Sequence, residues 1–235
     1  MSGHSKWSQI KRKKGVKDQA RGALFSKLSR LITLAVIEGG GIGDPDKNVK
    51  LRLAVEKAKS SNMPKENIER AIEKGSGPDR ENLQEVIYEA FAPGGINLII
   101  VCTTDNPNRT ISEVRNTLER GGGKLGAQGS VAYLFKKCGT AVFDREQEAL
   151  EFAEKVEAFD IEQDGGSFTV YFPFENLGHV SGISAEVDYK PTTDVKIEDR
   201  STANRILRLV ESLENLDDVQ HVFANFDLPE EFMRG

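Results

Sequence analysis

Lys11-Arg12-Lys13-Lys14 is a run of consecutive cations, and Lys6, Lys17 and Arg21 flank it within one short stretch. Cations at this density neutralise phosphates and release the counterions condensed on a polyanion. Trp7, the only tryptophan, lies inside the same stretch and outside any apolar periodicity. An indole in that setting either stacks on an exposed base or ribose, as aromatic platforms for looped and single-stranded RNA do, or packs the arm onto a neighbouring helix.

Other chemistry finds little support in the residues. Gly121 and Gly126 have the spacing of a phosphate loop, but Ala127-Gln128 follow where Lys and Ser or Thr belong. The segment also runs from an expected helix into an expected strand, so it reads as a helix cap and connector. His4, His179 and His221 fall in three different segments, and Cys102 and Cys138 have no Cys-x-x-Cys spacing. No metal, cofactor or disulfide framework is therefore expected, and a reducing compartment fits. Cys102 ends a β-like run and reads as a small buried hydrophobe. Neither Gly-x-Ser-x-Gly nor His-Glu-x-x-His occurs. The acidic residues of 144–164 and 194–218 sit at solvated-face spacing with no acid–base pair singled out, so the protein is not expected to be an enzyme.

The net charge of −5 conceals a sharp segregation. Residues 1–80 carry 18 Lys and Arg against 9 Asp and Glu, the first 30 alone 9 against 1, and the remainder 14 against 28. Such a chain is expected to grip nucleic acid with its basic end, while the acidic remainder repels phosphate. No apolar run approaches the ~18–20 residues of a membrane span, and no apolar stretch follows the N-terminal cations as in a secretory signal. A cytoplasmic monomer is expected.

The elements that must position these residues follow from periodicity. Residues 1–17 form a basic arm with no apolar face. Leu24, Leu28, Leu31, Ile32, Ala35 and Val36 keep 3- and 4-residue spacing, so a helix is expected up to Gly39-Gly40-Gly41. Asp44-Pro45 reads as the start of a second helix, with Val49, Leu53, Ala54 and Ala58 buried, and Pro64 as the start of a third. Gly75-Ser76-Gly77-Pro78 reads as a linker. The third helix balances Lys65, Arg70 and Lys74 against Glu66, Glu69 and Glu73, a poor composition for reading a DNA groove.

Beyond the linker, strands are expected at 85–91, 96–103 and 131–135, with a helix at 107–120. The order strand–helix–strand–strand–helix–strand then occupies 136–195, a complete ferredoxin-like unit. The pieces before and after it close a sheet only together. The expected fold class is therefore α+β in three domains: an N-terminal three-helix module (1–77), an α+β domain (80–135 plus 200–235), and a ferredoxin-like α+β domain (136–195) inserted in the second, the latter two sharing a ferredoxin-like layering.

Four separated motifs carry a resemblance. Ser2-Gly3-His4-Ser5-Lys6-Trp7, the glycine and Asp-Pro-Asp segment at 39–46, Asn62-Met63-Pro64 with Arg70-Ala71-Ile72, and Gly129-Ser130-Val131-Ala132-Tyr133-Leu134-Phe135 together resemble the YebC/PmpR family. The resemblance implies a cytoplasmic, three-domain protein labelled a transcriptional regulator that binds DNA. It also implies relatives, among them a mitochondrial translational activator, that act on the ribosome. No catalytic residues carry over. The candidate contact residues are His4, Lys6, Trp7, Lys11, Arg12, Lys13, Lys14, Lys17 and Arg21, and the candidate partners are DNA or ribosomal RNA, with the ribosome as the assembly.

Overall fold

The computed structural model describes residues 18–77 and 82–233. They fall into two compact units, one made of Gln84–Lys136 and the chain from Tyr189 onward, the other of Gln19–Leu83 and Lys137–Asp188.

Helix α1 (Asp18–Glu38) buries Leu28, Ile32, Ala35 and Val36 on one face. Its end is fixed by Gly40 and Gly41, both at positive φ, with the Gly41 amide donating to the Val36 carbonyl at 2.8 Å. The second helix, α2 (Val49–Ser60), starts later than the Asp44-Pro45 expectation. Asp44 instead closes a turn by accepting from the Asp46 amide. Asn48 takes over as cap because it can accept and donate at once: its Oδ1 accepts from the Leu51 amide, while its Nδ2 donates to the carbonyls of Ala35 and Ile42. This shift leaves Val49 exposed in the first turn, contrary to expectation, and the buried stripe is Leu51, Ala54, Val55 and Ala58.

Helix α3 (Lys65–Ser76) buries Ile68 and Ala71. It runs through Gly75 and Ser76, correcting the reading of both as linker. A Cβ on residue 75 would stand 2.7 Å from Val36 Cβ and 2.8 Å from the Thr33 carbonyl oxygen, so glycine is what lets α3 lie against α1. Thr33 Oγ1 donates to the Ala71 carbonyl across the same contact.

Strands β1 (Gln84–Ala92) and β2 (Ile96–Thr104) form an antiparallel hairpin around Pro93-Gly94-Gly95. Helix α4 (Pro107–Arg120) follows, capped by Asn106, and then the short strand β3 (Lys124–Leu125). The expected strand at 131–135 is a 3₁₀ turn over Ala132–Leu134, and β4 (Phe135–Phe143) begins only after it. Next come α5 (Glu146–Lys155), β5 (Asp160–Asp164), β6 (Ser167–Pro173), a 3₁₀ segment (Phe174–His179) where a second helix was expected, and β7 (Ala185–Pro191). The chain closes with β8 (Val195–Lys196), α6 (Arg200–Glu214), β9 (Val219–Ala224), β10 (Phe226–Asp227) and α7 (Glu230–Met233).

The sheet order β5-β6-β4-β7 is the ferredoxin-like one. Its core joins Phe152 of α5 to Phe143 and Phe172, with ring centroids 5.0 and 5.5 Å apart. The other sheet runs β3-β1-β2-β9, the same two-layer sandwich with a hairpin-first strand order. Alternation along β2 sends Leu98, Ile100 and Cys102 toward Val114, Leu118, Ile206 and Val210 of α4 and α6, and Ile99 toward Val131, Phe135 and Phe223 on the opposite face. Among the described residues no helix is long and apolar enough to cross a membrane.

Candidate nucleic-acid interface

Of the contact residues expected from sequence, His4, Lys6, Trp7, Lys11, Arg12, Lys13, Lys14 and Lys17 lie outside the described residues. Arg21 alone falls within them, exposed in the first turns of α1. The described part of the site is therefore the three-helix module to which the arm connects, and several of its cations are already engaged.

On α2, Arg52 Nη2 donates to the Gly178 carbonyl at 2.9 Å, and Lys57 Nζ pairs with Glu186 at 2.8 Å. Between them Glu56 Oε1 accepts from the Gly182 amide. These bonds fasten α2 to the turn that leads into β7, in the same unit. Lys50 pairs with Glu38, and on α3 Lys65 pairs with Glu69 one turn on. The turn joining α2 to α3 has a helix-turn-helix outline, with Asn62 at φ 59° and Met63 buried. However, a helix whose cations alternate with glutamates offers a phosphate little net attraction.

The turn 129–132, where the glycine-rich segment ends, builds an anion cradle, and the chain fills it itself. Glu89, projecting from β1 and only 7% exposed, accepts from the amides of Gly129 at 2.5 Å, Val131 at 2.6 Å and Ala132 at 2.8 Å. Burial alone would raise the Glu89 pKa, but the three amide bonds outweigh it and hold the carboxyl below its usual range. Sequence reasoning missed this residue because its partners stand some 40 positions away. A lone acid in an otherwise apolar and small-residue strand end, Glu89-Ala90-Phe91-Ala92, was the available signal.

A second buried carboxylate, Asp218, is 2% exposed and lies at the start of β9. It accepts from Thr110 Oγ1 at 2.6 Å, Thr104 Oγ1 at 3.0 Å and Arg109 Nη2 at 3.0 Å, while Arg109 also reaches Asp105 at 2.7 Å. The guanidinium pKa is pushed up, by Asp218 first and Asp105 second. A hydroxyl against a carboxylate could be a nucleophile with its base. Here both groups are sealed from solvent and mutually satisfied, so the arrangement ties β2, α4 and β9 together. Among the described residues no group of three or more His, Cys, Asp or Glu could hold a metal ion.

One further set of side chains went unnoticed in sequence. Arg115 and Arg120 on α4, and Arg200, Arg205 and Arg208 on α6, are all exposed and make no ion pair with a described residue. Neither helix contains lysine. The surrounding acidity of the chain averages this out of any charge count, but arginine without lysine at helical spacing was legible.

Comparison with known proteins agrees with the fold. A family model described as the TACO1/YebC second and third domain matches residues 83–226, and one described as the TACO1/YebC protein N-terminal domain matches residues 5–78. A protein of Rubrobacter xylanophilus named probable transcriptional regulatory protein is 47% identical over 99% of this chain and 98% of its own. One of the same name from Aquifex aeolicus is 46% identical over 100% of this chain and 99% of its own. The crystal structure of a conserved hypothetical protein from Aquifex aeolicus superposes with a TM-score of 0.82 at 43% identity, covering 94% of this chain and 96% of that one.

Proposed function

We propose that this chain, which belongs to the TACO1/YebC family, is a non-enzymatic, cytoplasmic regulator of gene expression that binds nucleic acid through its basic N-terminal arm, and that the nucleic acid is RNA on the ribosome. The observation that carries the reading is the charge segregation: 9 cations against 1 acid in residues 1–30 of a chain whose residues from 81 onward hold 14 against 28. Residues 1–77 are then the binding domain, with 80–135 plus 200–235 and the inserted 136–195 as scaffold. RNA is favoured over a duplex groove because α3, the helix in the recognition position, has its Lys65 neutralised by Glu69. A cationic arm with one aromatic suits irregular RNA, where splayed bases can stack. The relatives' printed names support the second reading, a regulator of transcription that binds DNA.

Crosslinking in cells followed by identification of the bound nucleic acid tests the choice, together with matched single-stranded RNA, ribosomes and duplex DNA at one salt concentration. Tight, salt-sensitive binding to ribosomes and RNA with weak duplex affinity is expected. A preference for duplex with site discrimination of ~10³ or more would overturn it in favour of transcription. Within the arm, alanine at Lys11, Arg12, Lys13 and Lys14 should weaken binding to all sequences alike and flatten the salt slope by roughly 0.7–0.9 for each phosphate no longer neutralised. Trp7→Ala should cost about 1–3 kcal/mol of binding with the slope unchanged if a base stacks there.

A further inference from the structure

The outer faces of α4 and α6 are made of polar side chains only. Along α4 the exposed row includes Ser112, Arg115, Asn116 and Arg120, and along α6 it includes Asn204, Arg205 and Arg208. The two helices hold 6 arginines against 4 glutamates, in a stretch of chain where acids otherwise outnumber bases three to one. The first ten positions of α6 contain three arginines and no acid.

The two rows form one surface. A Cβ on Gly121, at the end of α4, would stand 2.6 Å from Leu209 Cδ1, and one on Gly122 would stand 2.8 Å from Arg205 Nη2. Gly122 has φ +78°, a backbone conformation that favours glycine, and the guanidinium end of Arg205 lies over it. Arg120 therefore ends α4 beside the point where Arg205 leans over from α6, and Arg208 follows one turn along.

Arginine offers five donors in a planar fork matched to phosphate oxygens, and it is less strongly hydrated than lysine. An arginine that serves solubility alone is interchangeable with lysine and tends to pair with neighbouring acids, as Lys50, Lys57 and Lys65 of the helical module do. Neither holds here. We infer that the α4–α6 face is a second RNA contact surface, in which Arg115, Arg120, Arg205 and Arg208 grip the phosphate backbone and Asn116 and Asn204 reach sugar or phosphate oxygens. The inference rests on the RNA reading of the arm and makes binding bipartite. It also reverses the expectation that the acidic part of the chain contributes nothing.

The test uses the full chain and two labelled probes, a mixed-sequence single-stranded RNA of thirty nucleotides and the same length carrying a bulged hairpin. Arg115, Arg120, Arg205 and Arg208 are changed together to alanine, and in a second protein to lysine. With alanine, affinity should fall at least tenfold and the slope of log K against log salt by about 2–3, at ~0.7 for each phosphate set free. Lysine keeps the charge and should keep the slope while losing a few-fold in affinity, which also separates binding from any folding defect in the alanine protein. The arm variant measured in parallel should retain a slope that the combined variant loses. Wild-type affinity and slope in the alanine protein, with binding abolished in the arm variant, would overturn the second surface and leave the arm reading intact. Failure of the unaltered chain to bind either RNA would overturn both. Loss of ribosome association with unchanged affinity for both RNAs would assign the face to an acidic protein surface instead.

Discussion

In the unit built on β1, β2 and β9, the charges that hold the structure are buried acids: Glu89 clasped by three amides and Asp218 by two threonines and Arg109. Its exposed arginines on α4 and α6 other than Arg109 make no ion pair with a described residue. In the unit that contains α1–α3 and the ferredoxin-like sheet, Lys57 and Glu186 meet half-sheltered, Lys50 and Lys65 meet acids at the surface, and Arg52 caps a loop. The first unit thus uses carboxylates inside and leaves cations outside for a ligand; the second spends these cations on itself. Low dielectric explains the asymmetry in strength. A sealed, fully bonded carboxylate interacts strongly with its donors, whereas an exposed pair is screened by water and salt.

Substitutions should rank accordingly. Glu89→Gln, which removes the charge and turns one of the two acceptor oxygens into a donor facing a backbone donor, should cost about 3–4 kcal/mol. Hydrogen-exchange protection should fall across 84–136 and hold across 137–188, and uniform loss through both units would break the comparison. The same residue fixes a pH signature. Its folded pKa lies below the ordinary carboxylate value, so its stabilisation is full above about pH 4.3 and is lost as pH falls through the lower, folded value. Acid titration of stability should therefore be steeper for the wild type than for Glu89→Gln in that window.

Asp218→Ala should cost less, about 2–3 kcal/mol by chemical denaturation, because Thr104 and Thr110 keep each other as partners at 2.7 Å and Arg109 keeps Asp105. In the other unit, a double-mutant cycle over Lys57 and Glu186 should return a coupling of only about 0.5–1 kcal/mol. The smallest effect belongs to Lys65 and Glu69, whose cycle should give about 0.3–0.5 kcal/mol, vanishing in high salt. A surface coupling as large as the Glu89 effect would remove the distinction between the units.

Much of this organisation could be read from local chemistry. Helix α4 was expected at its observed bounds, and in the structure Asn106-Pro107 starts it and Gly121 stops it, both local instructions. The ferredoxin-like segment was legible because its elements follow one another directly in sequence. Where a distant partner decides, sequence misled. Asn48 displaced Asp44 as a cap because Ala35 and Ile42 offered it carbonyls. The strand expected at 131–135 gave way to a 3₁₀ turn because Glu89 draws the amides of Val131 and Ala132 inward. Gly75 looked like a linker because its role, the approach of α3 to Val36, belongs to packing and leaves no local trace. The arm was legible as a cationic run and each arginine row as a lysine-free pattern on its own helix, while their union into one face was not, since the two helices are separated by the whole insertion.

The insertion also imposes an order of events during synthesis. Strands β4 and β7, through which the chain leaves and re-enters its host, are neighbours in the inserted sheet, so the ends of the excursion are closed by the sheet's own pairing. All four of its strands lie between residues 135 and 191 and can pair as soon as that stretch has been made. The host must wait. Central strand β2 cannot acquire its partner β9, nor the hairpin the cover of α6, until residues 200–224 have left the exit tunnel. At ~5–20 residues per second, the guest sheet completes itself seconds before its host. Through that interval β2 carries the apolar run Ile96 to Val101 with one edge unpaired, and a growing chain of this design depends on fast guest closure and prompt release to keep that edge from other chains.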